Sequence, residues 1–191
     1  EPATLQILTQ RVAAIVLSNE IRADQGHRMF HGATAGRLAC ASCHPEGGED
    51  GRVWRFAGLG PRRTQSLRGG IMDTAPFHWS GDLPTLDKLM ADVFQGRMGG
   101  GVVERDQVRS LGRWLDQVPN VRPSRWHDLA AVERGRTLFE SPAVGCIACH
   151  RGGDFTVGTS FDVGTGGSFQ VPQLHNLAFR APFLHDGCAT T

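Results

Sequence analysis

Apolar residues recur at helical spacing in four parts of the chain. Within each part they stand at i, i+3, i+4 and i+7, which is the pattern of an amphipathic helix. Four helices are therefore predicted, over 5–16, 86–94, 108–115 and 129–139. For the second of them, Asp82 is the predicted N-cap and Pro84 is placed in the first turn.

Two segments between these helices are rich in glycine. Residues 46–60 and 152–167 are predicted to hold no regular secondary structure, because glycine favours turns and loops. Helices and loops together predict a mainly α fold with long Gly-rich loops.

The composition excludes several classes of function. The chain has 191 residues, with 20 Lys and Arg against 19 Asp and Glu, and a net charge of +1 provides no field that attracts a polyanion. We therefore expect no nucleic-acid partner. The apolar stretch over 7–17 is interrupted by polar residues and is too short to span a bilayer, so no transmembrane segment is expected. The chain has no Tyr, which excludes a Tyr ligand within these residues.

Four of the five cysteines fall into two Cys-x-x-Cys-His motifs, the sequence mark of covalent c-type haem attachment. Cysteines three residues apart on one helical turn each form a thioether to a haem vinyl group, and the His that follows binds the iron. Two covalently bound c-type haems with their iron are therefore predicted, with thioethers at Cys40, Cys43, Cys146 and Cys149 and iron ligands at His44 and His150.

A zinc site and a redox disulfide are the alternatives for these motifs. Zinc pairs need not place His directly after the second Cys, whereas both motifs do so here. A thioredoxin-like site needs a strand before the motif, and no Val/Ile-rich run precedes either one. Covalent haem in turn implies export, so a periplasmic or otherwise exported location is expected.

The two motifs belong to an internal repeat. Segments 26–30 and 135–139 precede them as helix ends, and segments 75–82 and 181–188 follow, each beginning 35 residues after the first Cys of its motif. Two cytochrome c-like haem domains of one ancestry are therefore predicted, over 1–119 and 120–191. The fifth cysteine, Cys188, is predicted either to form a disulfide with a cysteine outside these residues or to be a free thiol.

Met98 is the predicted distal ligand of the first haem. It leaves a predicted helix and precedes three glycines, where the backbone can approach a flat macrocycle. A core Met beside a capping glycine is the alternative, and Met72, Met90 and His78 are further candidate ligands. The counterpart of Met98 in the second repeat would fall near position 204, beyond Thr191. We therefore expect the C-terminal domain to be truncated and its pocket to be completed by a further domain or subunit.

Other residues are weaker candidates. Trp79 lies inside the repeated segment and is predicted either to stand between the haems and assist electron transfer or to be a core Trp. His185 has the same offset in the second repeat. Four arginines are predicted either to pair with haem propionates or to be plain surface charge: Arg62, Arg63, Arg68 and Arg180.

The chain resembles the bacterial dihaem cytochrome c peroxidase and MauG-like superfamily. The resemblance covers about 26–188 and rests on the paired motifs and on segments 66–68, 75–82 and 181–187. It implies two cytochrome c-like domains, a Trp between the haems at Trp79 and a periplasmic location. In these peroxidases one haem passes electrons and the other reduces hydrogen peroxide.

The chain departs from those peroxidases around Met98. They carry a distal Glu close to Arg97 and Met98 that serves as acid and base, whereas here no carboxylate follows before Glu104. The leading hypothesis is a dihaem c-type cytochrome that exchanges electrons with a redox protein donor or acceptor. The alternative is a peroxidase-like enzyme that reduces hydrogen peroxide at a haem with an open distal face. A His or carboxylate over an open iron would favour the enzyme.

Overall fold

The computed structural model describes residues 4–5, 15–16, 24–121 and 128–190. Its helices are α1 (Gln25–His31), α2 (Leu86–Leu89), α3 (Arg105–Gln117), α4 (Leu129–Glu140) and α5 (Cys146–Cys149). A π-helical segment, Met90–Gln95, continues α2 without a break. Four 3₁₀ turns lie at Cys40–Ser42, Pro45–Gly47, Ile71–Thr74 and Leu177–Phe179.

The strands form three antiparallel pairs. These are β1 (Thr4–Leu5) with β2 (Ile15–Val16), β3 (Val53–Phe56) with β4 (Gly60–Arg63), and β5 (Ser160–Asp162) with β6 (Ser168–Gln170). No helix among the described residues combines the length and apolarity needed to cross a bilayer.

Three of the four predicted helices are present. Helices α3 and α4 and the continuous α2–π segment match the predictions, and α4 begins at an N-cap, Asp128, whose side chain accepts from the Ala130 N–H at 2.9 Å. The N-cap predicted at Asp82 is wrong. Thr85 caps α2 instead and accepts from the Lys88 N–H at 3.1 Å.

The helix predicted over 5–16 is wrong at its two ends. Leu5 pairs with Ile15 in β1 and β2, so these positions are extended, and the remainder of the prediction lies outside the described residues. The prediction of structureless Gly-rich loops is wrong as well, because 46–60 contains β3 and 152–167 contains β5. In both hairpins, pairing with the following strand outweighs the loop preference of glycine.

The main apolar core lies in the first repeat. Phe30 of α1 and Met90 are almost fully buried, with 1% and 2% exposure, and they pack with residues of α2, α3 and the 71–83 segment. The core cluster consists of Phe30, Ile71, Phe77, Leu83, Leu86, Met90, Val108, Leu111 and Leu115. Gly26 lets α1 approach α3 closely, because a Cβ there would lie 2.7 Å from Trp114 Cβ.

Several backbone features recur in the two repeated segments. Phe77 pairs with Leu83 in an isolated bridge, and Phe183 pairs with Ala189 in the same way. His78 and Leu184 adopt positive φ angles of 75° and 68° at equivalent positions. The internal repeat read from the sequence therefore extends to the conformation of the backbone.

Candidate haem sites

The first Cys-x-x-Cys-His motif folds as a single tight turn. Cys40 begins a 3₁₀ turn, and its carbonyl accepts hydrogen bonds from the Cys43 N–H at 3.3 Å and the His44 N–H at 2.9 Å. This turn brings the two thiols and the imidazole to the wall of one cavity. The motif therefore brings together the three side chains that the sequence analysis predicts to hold a haem.

That cavity has a volume of about 580 Å³, within the range of roughly 300–1,000 Å³ typical of pockets for ligands and cofactors. Aromatic and aliphatic side chains dominate its wall, including Phe30, Trp54, Leu67, Trp79, Met90, Val93 and Phe94. A flat, mostly apolar macrocycle matches such a wall better than a small polar ligand does.

The side chain of His44 is compatible with a proximal iron ligand because of its burial, although within the described part of the chain it lacks the supporting hydrogen bond that metal-bound imidazoles usually have. Its Nδ1 is buried and has no hydrogen-bond partner among the described residues. Burial lowers the pKa of the imidazole, and the nearby backbone of Gly48 and Gln65 partly offsets this effect without forming a hydrogen bond of normal geometry. A neutral imidazole is the form that binds iron.

The two thiols of the first motif lie in surroundings that disfavour the thiolate form. Burial raises the pKa of Cys40 to about 11 and also raises the pKa of Cys43. Zinc binds thiolates, so raised pKa values disfavour the zinc alternative, whereas a thioether carries no charge and is compatible with a buried position.

Met98 lies at the wall of the same cavity as His44. It follows the π-helical segment, where its N–H donates to the Val93 carbonyl at 2.9 Å. Its own carbonyl accepts a hydrogen bond from the Thr34 hydroxyl, which ties the segment to the loop after α1. A Cβ at Gly36 would lie 3.2 Å from the Met98 carbonyl carbon, so this close approach requires a residue without a side chain.

His78 lies at the cavity wall too, but both of its ring nitrogens have partners. Nδ1 lies 3.1 Å from Asp82 Oδ1, and Nε2 lies 3.2 Å from the Arg97 guanidinium. Burial lowers the pKa of His78, an effect that Asp82 opposes and Arg97 strengthens. His78 is thus held in a hydrogen-bonded chain with both ring nitrogens engaged.

Trp79 lies where the cavity meets the second repeat. Its Nε1–H donates to the Arg63 carbonyl at 2.8 Å, and its own carbonyl accepts from the Gln170 N–H at 2.8 Å. The ring packs against Phe56, with centroids 5.4 Å apart. Its predicted counterpart, His185, stacks on Phe169, with ring centroids 3.5 Å apart.

Trp54 is a cavity residue that the sequence prediction missed. It lies on β3, and its Nε1–H donates to Asp50 Oδ2 at 2.9 Å. Aromatic residues at alternate positions, here Trp54 and Phe56, are typical of a strand. The strand was not predicted because the surrounding segment is rich in glycine.

Two of the candidate arginines are engaged in a buried cluster. Arg63 and Arg180 both bind the carboxylate of Glu49, and the Arg180 Nε–Glu49 Oε1 distance is 3.0 Å. Arg180 also donates to the carbonyls of Gln173 and His175, and it reaches the cavity wall. Neither arginine is plain surface charge.

The second Cys-x-x-Cys-His motif repeats the geometry of the first. Helix α5 is one turn long, and the His150 N–H donates to the Cys146 carbonyl at 2.9 Å. His150 Nδ1 lies 2.9 Å from the Phe155 carbonyl, which is an acceptor, so Nδ1 carries the proton and Nε2 is free to bind a metal. A metal-bound imidazole usually donates a hydrogen bond from its other ring nitrogen in this way.

The surroundings of the second motif are much more open. No residue of α4 is buried, and its Leu129 and Leu138 are 72% and 60% exposed. In the first repeat, by contrast, α1 packs its Phe30 under α3. The described residues thus supply only part of an apolar enclosure around Cys146, Cys149 and His150.

Comparison with known proteins identifies relatives of this fold. No protein-family model matches the chain. In sequence it is similar to hydrazine synthase subunit gamma of Kuenenia stuttgartiensis, with 31% identity over 193 positions that cover 87% of this chain and 54% of the relative. The chain therefore spans about half the length of that relative.

Two solved structures are similar in fold. Hydrazine synthase of Kuenenia stuttgartiensis, pressurized with 20 bar xenon, superposes with a TM-score of 0.72 at 20% identity, over 91% of this chain and 77% of that chain. A MauG-like protein associated with microbial copper homeostasis superposes with a TM-score of 0.64 at 17% identity, over 93% and 74%. The chain thus has a cytochrome c-like fold of the MauG-like type.

Proposed function

We propose that this chain is a dihaem c-type cytochrome unit that transfers electrons in the periplasm or another exported compartment. The observation that carries the proposal is the single apolar cavity that Cys40, Cys43, His44 and Met98 share. A haem bound there supplies reversible one-electron ferric–ferrous chemistry. The residues of the chain attach it, supply its ligands and exclude water.

Met98 is the best-supported distal ligand among the candidates. Met72 is not among the cavity-lining residues, and Met90 is almost fully buried in the apolar core. His78 lines the cavity, but Asp82 and Arg97 engage both of its nitrogens. Met98 lines the cavity, and its sulfur has no hydrogen-bond partner among the residues that the structure describes. A Met/His ligand pair is typical of electron-transfer cytochromes.

The second haem is proposed on Cys146 and Cys149, with His150 as the iron ligand. The contact of His150 Nδ1 with the Phe155 carbonyl supports this role. Trp79 is proposed to assist electron transfer between the two sites, since it lines the first cavity and hydrogen-bonds to the backbone of the second repeat at Gln170. We accordingly propose two haem domains, 1–119 and 120–191.

A further segment or subunit is proposed to complete the second pocket. The exposed apolar side chains of α4 support this, as does the similarity to a protein named as one subunit of an assembly. Partners in electron transfer are proposed to be redox proteins, which dock where the haem edge is accessible.

The decisive experiment combines haem counting with spin state. Pyridine haemochrome analysis and protein mass should give two haems per chain, and Cys146→Ala with Cys149→Ala should leave one. In ferric EPR of that single-haem protein, Met98→Leu should convert the remaining low-spin signal to high-spin, whereas the volume-matched Met72→Leu control should leave it low-spin. A low-spin signal that survives Met98→Leu unchanged would overturn the assignment of Met98.

Peroxide reduction is the second candidate function, and one observation favours it. His78 and Arg97 both line the first cavity and contact each other at 3.2 Å, so an acid–base group and a cation stand at the same wall. Such a pair can relay protons and stabilise developing negative charge during cleavage of hydrogen peroxide to two waters, a reaction that takes two electrons from a reduced protein partner and two protons from solvent. A high-spin ferric first haem in the unmodified protein, with turnover lost in His78→Gln, would replace the carrier proposal with this one.

A further inference from the structure

Two imidazoles and a carboxylate meet outside the haem cavity. His27 and His31 stand one turn apart on α1, with ring centroids 4.1 Å apart, and Glu46 reaches them from the loop after His44. One potential ligand atom from each of the three side chains lies within 4.8 Å of the other two. Such a spacing suits ligands that share one ion.

The contacts of His31 place one ring nitrogen against a carbonyl and the other against a carboxylate. Its Nδ1 lies 2.9 Å from the His27 carbonyl, and its Nε2 lies 3.1 Å from Glu46 Oε1. Both oxygens are acceptors, yet a neutral imidazole has one N–H. A metal ion between Nε2 and the carboxylate would bind both groups. The Nδ1–H to carbonyl bond is the support that metal-bound imidazoles generally have.

We propose that His27, His31 and Glu46 bind a divalent transition-metal ion of the zinc or copper type. Imidazole nitrogen with one carboxylate oxygen is a ligand set that these ions favour, and that calcium and magnesium, which prefer oxygen, do not. Three protein ligands leave positions for water.

The surroundings leave room for those waters. Glu46 is exposed, and an open cavity of about 340 Å³ lies beside His27, Glu46 and Trp114. The site is separate from the proposed haem ligands and needs no haem chemistry to bind its ion.

Binding at this site would link two elements that flank the first haem. His27 and His31 belong to α1, which packs on α3, while Glu46 follows His44 by two residues. An ion bound only by the folded arrangement stabilises the fold, because the unfolded chain does not hold the three ligands together. Metal addition should therefore raise the unfolding temperature.

The test uses the haem-loaded protein with Cys188→Ser, which removes the exposed thiol as a competing ligand. Calorimetric titration with Zn²⁺ should show one saturable site and a rise in unfolding temperature, and Ca²⁺ should show neither. His31→Ala and, separately, Glu46→Gln should weaken Zn²⁺ binding at least about tenfold. The haem absorption spectrum verifies that each variant is folded.

His175→Gln is the matched control. His175 also faces a carboxylate, with Nε2 3.7 Å from Asp154 Oδ1, but no second imidazole completes a three-ligand group there among the described residues. Its substitution should leave Zn²⁺ affinity unchanged. No saturable binding to the parent protein, or equal affinity in the parent and both site variants, would overturn the proposal and identify the contact as a protonated His31–Glu46 ion pair.

Discussion

Glu49 Oε1 accepts a hydrogen bond from Arg180 Nε at 3.0 Å, although the two residues stand 131 positions apart in the chain. The other carboxylate oxygen binds Arg63, and all three side chains are largely buried. Burial lowers the pKa of Arg180, and the Glu49 carboxylate opposes that effect, so the guanidinium keeps its charge. One carboxylate thus joins two cations from the two repeats.

Neutralising Glu49 should destabilise the fold strongly. Glu49→Gln leaves two buried guanidinium groups without their counter-charge, and breaking such a buried pair costs about 3–5 kcal/mol. Urea unfolding of the haem-loaded protein measures this cost. Asp106→Asn is the control, since it removes an exposed ion pair with Arg109 and should cost less than about 1 kcal/mol. Equal effects of the two substitutions would contradict the structural role of Glu49.

Replacing two glycines at corresponding positions of the repeats with Ala should affect the stability of the fold differently. Gly26→Ala puts a Cβ against Trp114 and the Ser110 backbone, so α1 must move away from α3 and the protein should lose about 1–3 kcal/mol. A Cβ at Gly135 meets nothing within 4 Å, so Gly135→Ala should be neutral or stabilise α4 by up to about 1 kcal/mol. Thermal unfolding of both variants measures the difference. A loss of stability at Gly135 would show that α4 has a partner on that face.

The helices that bear the core could be predicted from the sequence, because they depend on local patterns, and the tight turn at each haem-attachment motif is local as well. A Cys-x-x-Cys-His motif fits within one turn, and the apolar period of α3 is visible in Val108, Leu111 and Leu115. The hairpins were not predicted, because their strands are only three or four residues long and lie in Gly-rich segments. Each strand also pairs with a partner several residues away in the chain. The cluster of Glu49 with Arg63 and Arg180 could not be predicted, because Arg180 lies 131 positions from Glu49 and no local pattern indicates such a contact.

Acid should destabilise the protein partly through His78. Burial lowers the pKa of its imidazole from the usual 6.5, so the folded state resists the proton that the unfolded chain accepts. The resulting stability is fully present above pH 6.5 and is lost as the pH falls below it through the lower folded pKa. His78→Gln should therefore flatten the decline in unfolding free energy as the pH falls below about 6.5. An unchanged slope in urea titrations across that range would contradict this.

Trp79→Phe should affect both stability and electron transfer. The change leaves the Arg63 carbonyl without the indole donor, at a cost of about 1–3 kcal/mol for a buried acceptor. Under the proposed function it should also slow electron transfer between the haems, which flash photolysis can follow. Trp114→Phe is the control, because Trp114 contacts His27 and His31 on α1 and does not line the first cavity. Equal transfer rates in the two variants would remove Trp79 from the route.

Part of the wall of the first cavity comes from the second repeat. Gln170, Gln173 and Arg180 contribute to that wall, although they belong to the second repeat. The N-terminal repeat expressed by itself would therefore present an incomplete pocket that admits water on one side. Under the proposed division into two haem domains, the first pocket thus depends on residues of the second domain, and a fragment must contain both repeats to enclose it.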